Sequence, residues 1–234
     1  MLSNNLRALV LTIVIAILWL RINDYFAHKG WISSPVSRKV IHIGTGPIFV
    51  LCCLLFKETL TAPYLAALVP LAITAQFALV GSGVIKDPAA VEAMSRTGDR
   101  REILRGPLFY GIAFVLLTIA LWRRSPIGIV ALMILCGGDG LADIVEKKIG
   151  GIRLPWSSNK TLAGSLTMLL GGFTFAVLVL WAFVGTYFPQ LITRYLVPIG
   201  MITLGTTLIE SLPFADVDKI TIPLVSVLIG FLVF

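Results

Sequence analysis

The sequence predicts an all-α protein, a polytopic transmembrane helical bundle, and two observations carry this prediction. Hydrophobic residues make up 57% of the 234 residues and charged residues only 13%, with a mean hydropathy of +0.95. This composition lies outside the range of soluble globular domains. Apolar runs also recur along the chain at close to the roughly 20 residues that cross a bilayer as a helix. We therefore expect one integral-membrane domain over residues 1–234, with no separate soluble domain.

The apolar runs predict about eight spans, with seven as the alternative count. They lie near 6–22, 39–56, 60–83, 106–122, 126–146, 161–185, 191–211 and 220–234. No small-residue cleavage site follows the first run, so it is expected to be an uncleaved span and not a signal peptide. The three cysteines, Cys52, Cys53 and Cys136, all lie inside apolar runs. They are expected to be core residues and neither disulfide partners nor zinc ligands.

The distribution of basic residues predicts the orientation in the membrane. Most of the 19 Lys and Arg residues fall in the first, third, fifth and seventh connections. The five exceptions are Arg7, Lys57, Arg123, Arg124 and Arg194. By the positive-inside rule, the odd-numbered connections face the cytoplasm and both termini lie on the non-cytoplasmic side. The net charge of +7 is therefore assigned to membrane lipid. Nucleic acid is not an expected partner, because the sequence has no tract rich in Lys and Arg.

The segment 136–166 concentrates acids and bases between two apolar runs. Asp139, Asp143 and Glu146 are spaced i, i+4 and i+7, which places all three carboxylates on one face if the run is helical. An acid within an apolar span must face protein or water, and by default it marks a functional site. We expect a divalent cation as its partner. Gly150 and Gly151 are expected to end this helix.

The second half of the same segment predicts an anion site. Ser157, Ser158 or Asn159 can cap a new helix that begins near Lys160. The free N–H groups of that helix start, the Lys160 ammonium and the Thr161 hydroxyl would then face an anion, which we expect to be phosphate. In the following span, Gly171 and Gly172 can allow close helix packing or a bend.

Polar residues elsewhere in the chain are predicted on the same membrane face. Arg38 and Lys39 lie one turn before His42 at the start of the second span. They can hold phosphate, or they can extend to lipid headgroups while His42 is a hydrogen-bonded core residue. Near the other end of the chain stand Glu210, Asp216 and Asp218. Asp216 and Asp218 can equally be polar loop residues, whereas Glu210 ends an apolar run and is the harder one to explain structurally.

Carboxylates and bases on one face are what phosphoryl or nucleotidyl transfer requires, because the carboxylates hold Mg²⁺ and the bases neutralise phosphate charge. The sequence contains neither a P-loop nor a protein-kinase signature. The segment 136–166 must therefore hold the nucleotide itself. One alternative is a cytidylyltransferase that forms a CDP-lipid. An alternative from another class is a cation-coupled transporter, with Asp139, Asp143 and Glu210 as a relay.

Three motifs, in this order, resemble the phytol kinase family: SRKVIHIGTG at 37–46, GDGLAD at 138–143 with its sequel NKTLAGS at 159–165, and ESLPFADVDKITIPL at 210–224. More widely, residues 37–223 are similar to the membrane polyprenol kinases, including dolichol kinase, and distantly to phosphatidate cytidylyltransferase. Asn159 and Ala163 stand where the cytidylyltransferases carry Lys and Glu, and their C-terminal signature is missing. This departure argues against cytidylyl transfer. The resemblance implies phosphorylation of an isoprenoid alcohol such as phytol, with CTP as the phosphoryl donor.

In the expected reaction the long-chain isoprenoid alcohol arrives from the bilayer and the nucleoside triphosphate from water. Asp139 and Asp218, with Glu210, are expected to hold Mg²⁺ on the triphosphate. The residues expected to bind the phosphates are Lys160, Thr161 and Gly164, with Arg38, Lys39, Arg153 and Asn159 assisting. Asp143 is the candidate to accept the hydroxyl proton, and His42 is the alternative. We expect the site to face the cytoplasm of a bacterial inner membrane or its counterpart in a photosynthetic membrane.

Overall fold

The computed structural model describes residues 2–95, 97–188, 192–213 and 218–234. Its helices cluster into two compact units, Met1–Ala120 and Leu121–Phe234. Each unit is a helical assembly, which confirms the all-α fold class of a membrane bundle. The expectation of one domain over the whole chain stays a prediction.

The first unit contains five described α-helices and a 3₁₀ turn at Arg100–Leu104. The helices are α1 (Leu2–His28), α2 (Ser34–Cys52), α3 (Ala62–Ser82), α4 (Pro88–Met94) and α5 (Gly106–Leu121). Helix α1 packs against α2 and α3. The fully buried Asn5 of α1 accepts a hydrogen bond from the Lys57 amide at 2.7 Å and donates to the Thr59 hydroxyl at 2.9 Å. These two bonds fix α1 to the connection between α2 and α3.

The second unit contains five described α-helices and a two-stranded antiparallel hairpin. The elements are α6 (Pro126–Met133), α7 (Asp139–Lys148), β1 (Arg153–Leu154), β2 (Ser157–Thr161), α8 (Leu162–Trp181), α9 (Thr193–Glu210) and α10 (Asp218–Val233). A π-helical segment, Ile134–Gly138, joins α6 to α7. The resulting rod over 126–148 packs against α8, and its first half packs against α10.

The rod over 126–148 is the buried centre of the second unit. In the most apolar 18 residues of this rod, 83% are buried by protein. In the other candidate spans the buried share is 39% or less. Asp139 is therefore surrounded by protein and not by lipid, as an acid at that depth requires. The π segment ends directly before Asp139, and such widened turns are often found at functional sites.

Glycines allow α8 to approach this rod closely. A Cβ at Gly138 would lie 3.0 Å from the Met168 carbonyl oxygen, and one at Gly171 would lie 3.2 Å from the Gly137 carbonyl oxygen. A Cβ at Gly172 would lie 3.1 Å from the Thr203 methyl group of α9. The close packing expected at Gly171 and Gly172 is confirmed, because side chains at these positions would push the helices apart.

Gly138→Ala is expected to destabilise the protein by about 1 to 3 kcal/mol. The added methyl group would lie 2.9 Å from Met168 Sδ and 3.0 Å from the Met168 carbonyl oxygen, and the backbone oxygen cannot turn aside as a side chain can. The measurement is thermal unfolding of the purified protein in detergent. Gly200→Ala is the matched control. It lies inside α9, where the nearest atom to a new Cβ is 3.8 Å away, and it should stabilise by about 0.5 to 1 kcal/mol through helix propensity. Equal unfolding temperatures for the two variants would contradict the close contact between the π-helical segment and α8.

Six described helical stretches are long and apolar enough to cross a membrane. They are Leu2–His28, Pro35–Leu55, Ala62–Ser82, Arg100–Leu121, Pro126–Lys148 and Leu162–Trp181. Helices α9 and α10 are not among them. Their described lengths are 18 and 16 residues, which correspond to about 27 and 24 Å of helix. The count of eight spans and the outward orientation of the termini stay predictions.

A helix begins near Lys160, as predicted, but the prediction that Ser157, Ser158 or Asn159 caps it is wrong. Residues 157–161 form β2, which pairs with β1 through Arg153↔Thr161 and Leu154↔Ser157. Pro155 and Trp156 make the turn, in which proline presets the backbone angle of the first central position. Helix α8 begins at Leu162, and Thr161 caps it by accepting a hydrogen bond from the Gly164 amide at 3.0 Å.

Two other local predictions are confirmed. Helix α7 ends at Lys148, and Gly150 and Gly151 follow with φ of +63° and +114°. Only glycine adopts such backbone angles easily, so the chain leaves the helix at the predicted point. Cys52, Cys53 and Cys136 are buried, as expected of core residues in apolar runs.

Candidate active site

Five charged side chains from four elements meet in the second unit, and we call them the carboxylate–lysine cluster. They are Asp139, Lys160, Glu210, Asp218 and Lys219. The Lys160 ammonium donates to a Glu210 oxygen and, at 3.3 Å, to an Asp218 oxygen. The Lys219 ammonium donates to Asp139 Oδ2. Helices α7, α9 and α10 and strand β2 are thereby joined at one point.

The cluster is largely buried but retains contact with solvent. The side chains of Glu210 and Asp139 are 4% and 9% exposed, while those of Asp218 and Lys219 are 23% and 19% exposed. Burial by itself would lower the pKa of Lys160, but the nearby carboxylates of Glu210, Asp218 and Asp139 raise it above its ordinary value. Lys160 is therefore a permanent cation at physiological pH. With three carboxylates and two ammonium groups, the cluster has a formal charge of −1.

Two tethers hold the hairpin so that Lys160 reaches this cluster. On one side, Glu146 of α7 accepts a hydrogen bond from the Thr161 amide at 3.0 Å. On the other side, the Trp156 indole donates to the Ser211 hydroxyl at 3.2 Å, one residue beyond Glu210 in the chain. The hairpin is thus fixed to the end of α7 and to the end of α9, and Lys160 lies between these two attachments.

The start of α8 was expected to face a phosphate group, and in the structure it already contacts an anion. The Glu146 carboxylate bonds to the Thr161 amide, and a Cβ at Gly164 would collide with the Glu146 side chain. The Thr161 hydroxyl is used as the cap of α8. Thr161 and Gly164 therefore have a structural role, because they allow the Glu146 side chain to approach the start of α8. Phosphate binding by these two residues stays a prediction.

The three acids of α7 have different partners, although the helix itself is confirmed. Asp139 bonds to Lys219, Glu146 bonds to the Thr161 amide, and Asp143 bonds to Lys147 at 2.8 Å. The Asp143 side chain is 23% exposed, so water can reach it. The expected assistants Arg153 and Asn159 are exposed side chains on the hairpin.

The three remaining candidates lie in the first unit, in the first half of α2. The Arg38 guanidinium donates to the Ser95 carbonyl oxygen at 2.8 Å, and Lys39 is half-buried. The His42 ring lies 4.4 Å from the Tyr110 ring, centroid to centroid, and the Tyr110 hydroxyl donates to the His42 carbonyl oxygen at 2.8 Å. Their predicted roles toward the nucleotide stay predictions. Asp216 lies outside the described residues.

The donor set of the cluster fits a magnesium ion that arrives with phosphate. No group of three or more His, Cys, Asp and Glu side chains within the described ranges is close enough to hold a metal unaided. Mg²⁺ in phosphoryl-transfer sites ordinarily needs only one or two carboxylates, and takes its other ligands from water and substrate phosphates. Asp139 and Asp218, the latter partly open to solvent, can supply those two carboxylates.

Sequence reasoning missed two residues that organise this site. Lys219 has no role in the sequence prediction, yet it is the partner of Asp139, 80 positions earlier in the chain. The available signal was charge balance, because three buried acids need more than the single cation Lys160. Glu146 was placed on the face of α7, but its partner on β2 could not be read from local spacing.

Comparison with known proteins identifies the family to which the chain belongs. The chain is 37% identical over 231 residues to the probable phytol kinase 3, chloroplastic, of Glycine max, covering 98% of this chain and 72% of that protein. The chain belongs to the phytol kinase family. Other members are the farnesol kinase, chloroplastic, of Arabidopsis thaliana, at 39% identity over 88% of this chain and 68% of that protein, and phytol kinase 1, chloroplastic, of the same plant, at 34% over 87% and 68%.

These identities do not separate a phytol kinase from a farnesol kinase, because both lie in the same narrow range. No protein-family profile matches the chain, and no solved structure matches it. Its membership in the phytol kinase family therefore rests on whole-chain sequence similarity to these curated relatives.

Proposed function

We propose that this family member phosphorylates an isoprenoid alcohol of the bilayer, with CTP as donor, Mg²⁺ as cofactor and phytol as the acceptor. The observation that supports it is the convergence of Asp139, Lys160, Glu210, Asp218 and Lys219 in the second unit. Acids and lysines gathered at a partly open point in a membrane protein suit a charged nucleotide from water and an alcohol from lipid. Active sites for phosphoryl transfer work mainly through such positioning and charge neutralisation.

In this proposal Asp139 and Asp218, with Glu210, hold Mg²⁺ on the triphosphate. Lys160, at the centre of the cluster, neutralises phosphate charge. Bound Mg²⁺ would supply further neutralisation of the phosphate oxygens in the transition state. The predicted assistance from Thr161, Gly164, Arg153, Asn159, Arg38 and Lys39 belongs to the same proposal.

The proposed reaction is one displacement at phosphorus. The alcohol oxygen forms a bond to the γ-phosphorus, the bond from that phosphorus to the β,γ-bridging oxygen breaks, and CDP leaves with the electron pair. The hydroxyl proton passes to a base, for which Asp143 is the candidate and His42 the alternative. Asp143 is partly exposed, so a proton received there can pass on to water.

The decisive experiment is a product assay on the purified, membrane-inserted protein with Mg²⁺. Each nucleoside triphosphate is supplied in turn with phytol, geranylgeraniol, farnesol and longer polyprenols, and the products are weighed by mass spectrometry. We expect phytyl phosphate and CDP from phytol and CTP. Preference for another alcohol would correct the acceptor, and preference for UTP or ATP would correct the donor.

The same assay tests the two competing functions. Pyrophosphate and a CDP-lipid, formed when a phosphorylated lipid is supplied, would identify a cytidylyltransferase. Movement of labelled substrate into proteoliposomes without nucleotide turnover would identify a transporter. Accessibility of an engineered cysteine at the exposed Asn159 to a membrane-impermeant reagent reports which side of the membrane the hairpin faces, and we propose the cytoplasmic side.

A further inference from the structure

Lys219 stands in an unusual position for a cation. It is the second residue of α10, and the first turn of a helix carries partial positive charge that favours anions and disfavours ammonium groups. The Lys219 side chain is nevertheless four-fifths covered. The negative charge of Asp139, to which it bonds, is what makes this placement tolerable.

Lys219 and a metal ion would compete for the same carboxylate. The Lys219 ammonium is bonded to Asp139 Oδ2, and Asp139 is the most buried of the proposed metal ligands after Glu210. A second cation at Asp139 would be repelled by the ammonium, and the repulsion is strong where little water intervenes. A divalent cation can bind Asp139 favourably only if Lys219 moves or acquires another anion.

The triphosphate of the proposed substrate supplies that other anion. It brings several phosphate oxygens to the cluster, and the start of α10, where Lys219 stands, favours negative charge. The Lys219 chain is long, flexible and 19% exposed, so its ammonium can reorient without unfolding α10. Lys160 is less able to do so, since it bridges Glu210 and Asp218 and is 14% exposed.

We propose that Lys219 exchanges Asp139 for a phosphate oxygen when the nucleotide enters, so that Asp139 becomes available to a divalent cation only together with nucleotide. This inference rests on the proposed function, because it assigns a regulatory part to a residue of the same site. Lys219 is then both a phosphate ligand and a barrier to free divalent cations. The device would keep the cluster from being filled by metal without substrate.

The test measures free Mn²⁺ binding by electron paramagnetic resonance, without nucleotide, on the full chain in nanodiscs of uncharged lipid. Lys219→Met should bind Mn²⁺ at least about tenfold more tightly than the wild type, because a repelling charge next to the carboxylate is gone. Lys219→Arg keeps the charge and should behave as the wild type. Lys148→Met removes an exposed lysine from α7 and is the matched control, with no change expected.

A double variant tests whether the tighter Mn²⁺ binding of Lys219→Met depends on the Asp139 carboxylate. Adding Asp139→Asn to Lys219→Met should abolish the tighter Mn²⁺ binding. If Lys219→Met unfolds, Lys219→Gln, which can still donate to Asp139, takes its place in both comparisons. An unchanged Mn²⁺ affinity in these variants overturns the exchange, and so does a gain that survives Asp139→Asn.

Alcohol phosphorylation is assayed on the same preparations, so the two ideas fail separately. If the wild type phosphorylates the alcohol but Lys219→Met binds Mn²⁺ no more tightly, the proposed function stands and the exchange is overturned. A wild type that phosphorylates no alcohol with any nucleotide overturns the proposed function, and the exchange with it. In the supporting case, Lys219→Met also raises KM for the nucleotide about tenfold or more, since one charged contact to phosphate is lost.

Discussion

Replacing Asp139 with asparagine is expected to lower kcat/KM for alcohol phosphorylation by at least about a hundredfold, the usual scale for loss of one preorganised electrostatic group. The change keeps the size of the side chain and removes its charge. Asparagine can still accept a hydrogen bond from Lys219, so the fold should persist. The measurement is steady-state phosphorylation of phytol by CTP, with thermal unfolding of each preparation alongside.

Glu58→Gln is the control for Asp139→Asn. Glu58 is an exposed acid in the connection between α2 and α3 of the first unit, so the same chemical change there should leave kcat/KM unaltered. Near-wild-type activity of a folded Asp139→Asn variant would rule out the proposed metal and nucleotide site.

Replacing Lys160 with methionine is expected to have the largest effect on stability, about 3 to 5 kcal/mol, because it leaves a buried carboxylate without its cation. The carboxylate that loses its cation is that of Glu210, whose side chain is only 4% accessible to water. Phosphorylation should also fall by at least about a hundredfold, as Lys160 is proposed to neutralise phosphate charge. Thermal unfolding and steady-state kinetics measure the two effects.

The double variant Lys160→Met with Glu210→Gln separates structure from chemistry. Neutralising Glu210 removes the uncompensated charge, so much of the lost stability should return. Activity should not return, because the phosphates would still lack the Lys160 ammonium and Mg²⁺ would lack the Glu210 carboxylate. A double variant that recovers both would show that Lys160 serves the fold alone. One that recovers neither would show that the ion pair with Glu210 is not the main source of the stability loss.

Much of this architecture could be predicted from the sequence because it depends on local pattern. The rod around Asp139 follows from apolar periodicity, and its end follows from Gly150 and Gly151, whose backbone angles suit no other residue well. Lys160, Glu210 and Asp218 were also predicted on one membrane face, from the distribution of basic residues over the connections, but as ligands of nucleotide and metal and not as partners of one another. Composition and charge are sufficient for such predictions.

What could not be predicted depends on contacts between distant parts of the chain. Ser157–Thr161 is a strand only because Arg153 and Leu154 lie beside it, and a run of five polar residues suits a helix cap equally well. The π segment before Asp139 leaves no periodic signal over so few residues. Asp139 bonds to Lys219, and Glu146 to the Thr161 amide, only because the packing of the helices brings these distant residues together.

The order in which the cluster is assembled has a consequence for biosynthesis. Its acids and lysines come from the middle of the second unit and from α10, and Lys219 joins Asp139 across 80 residues. A nascent chain that has inserted α7, α8 and α9 but not yet α10 holds Asp139 and Glu210 without one of their two lysines. The mature charge balance therefore forms only when synthesis has passed Lys219, and until then Asp139 lacks this ammonium partner.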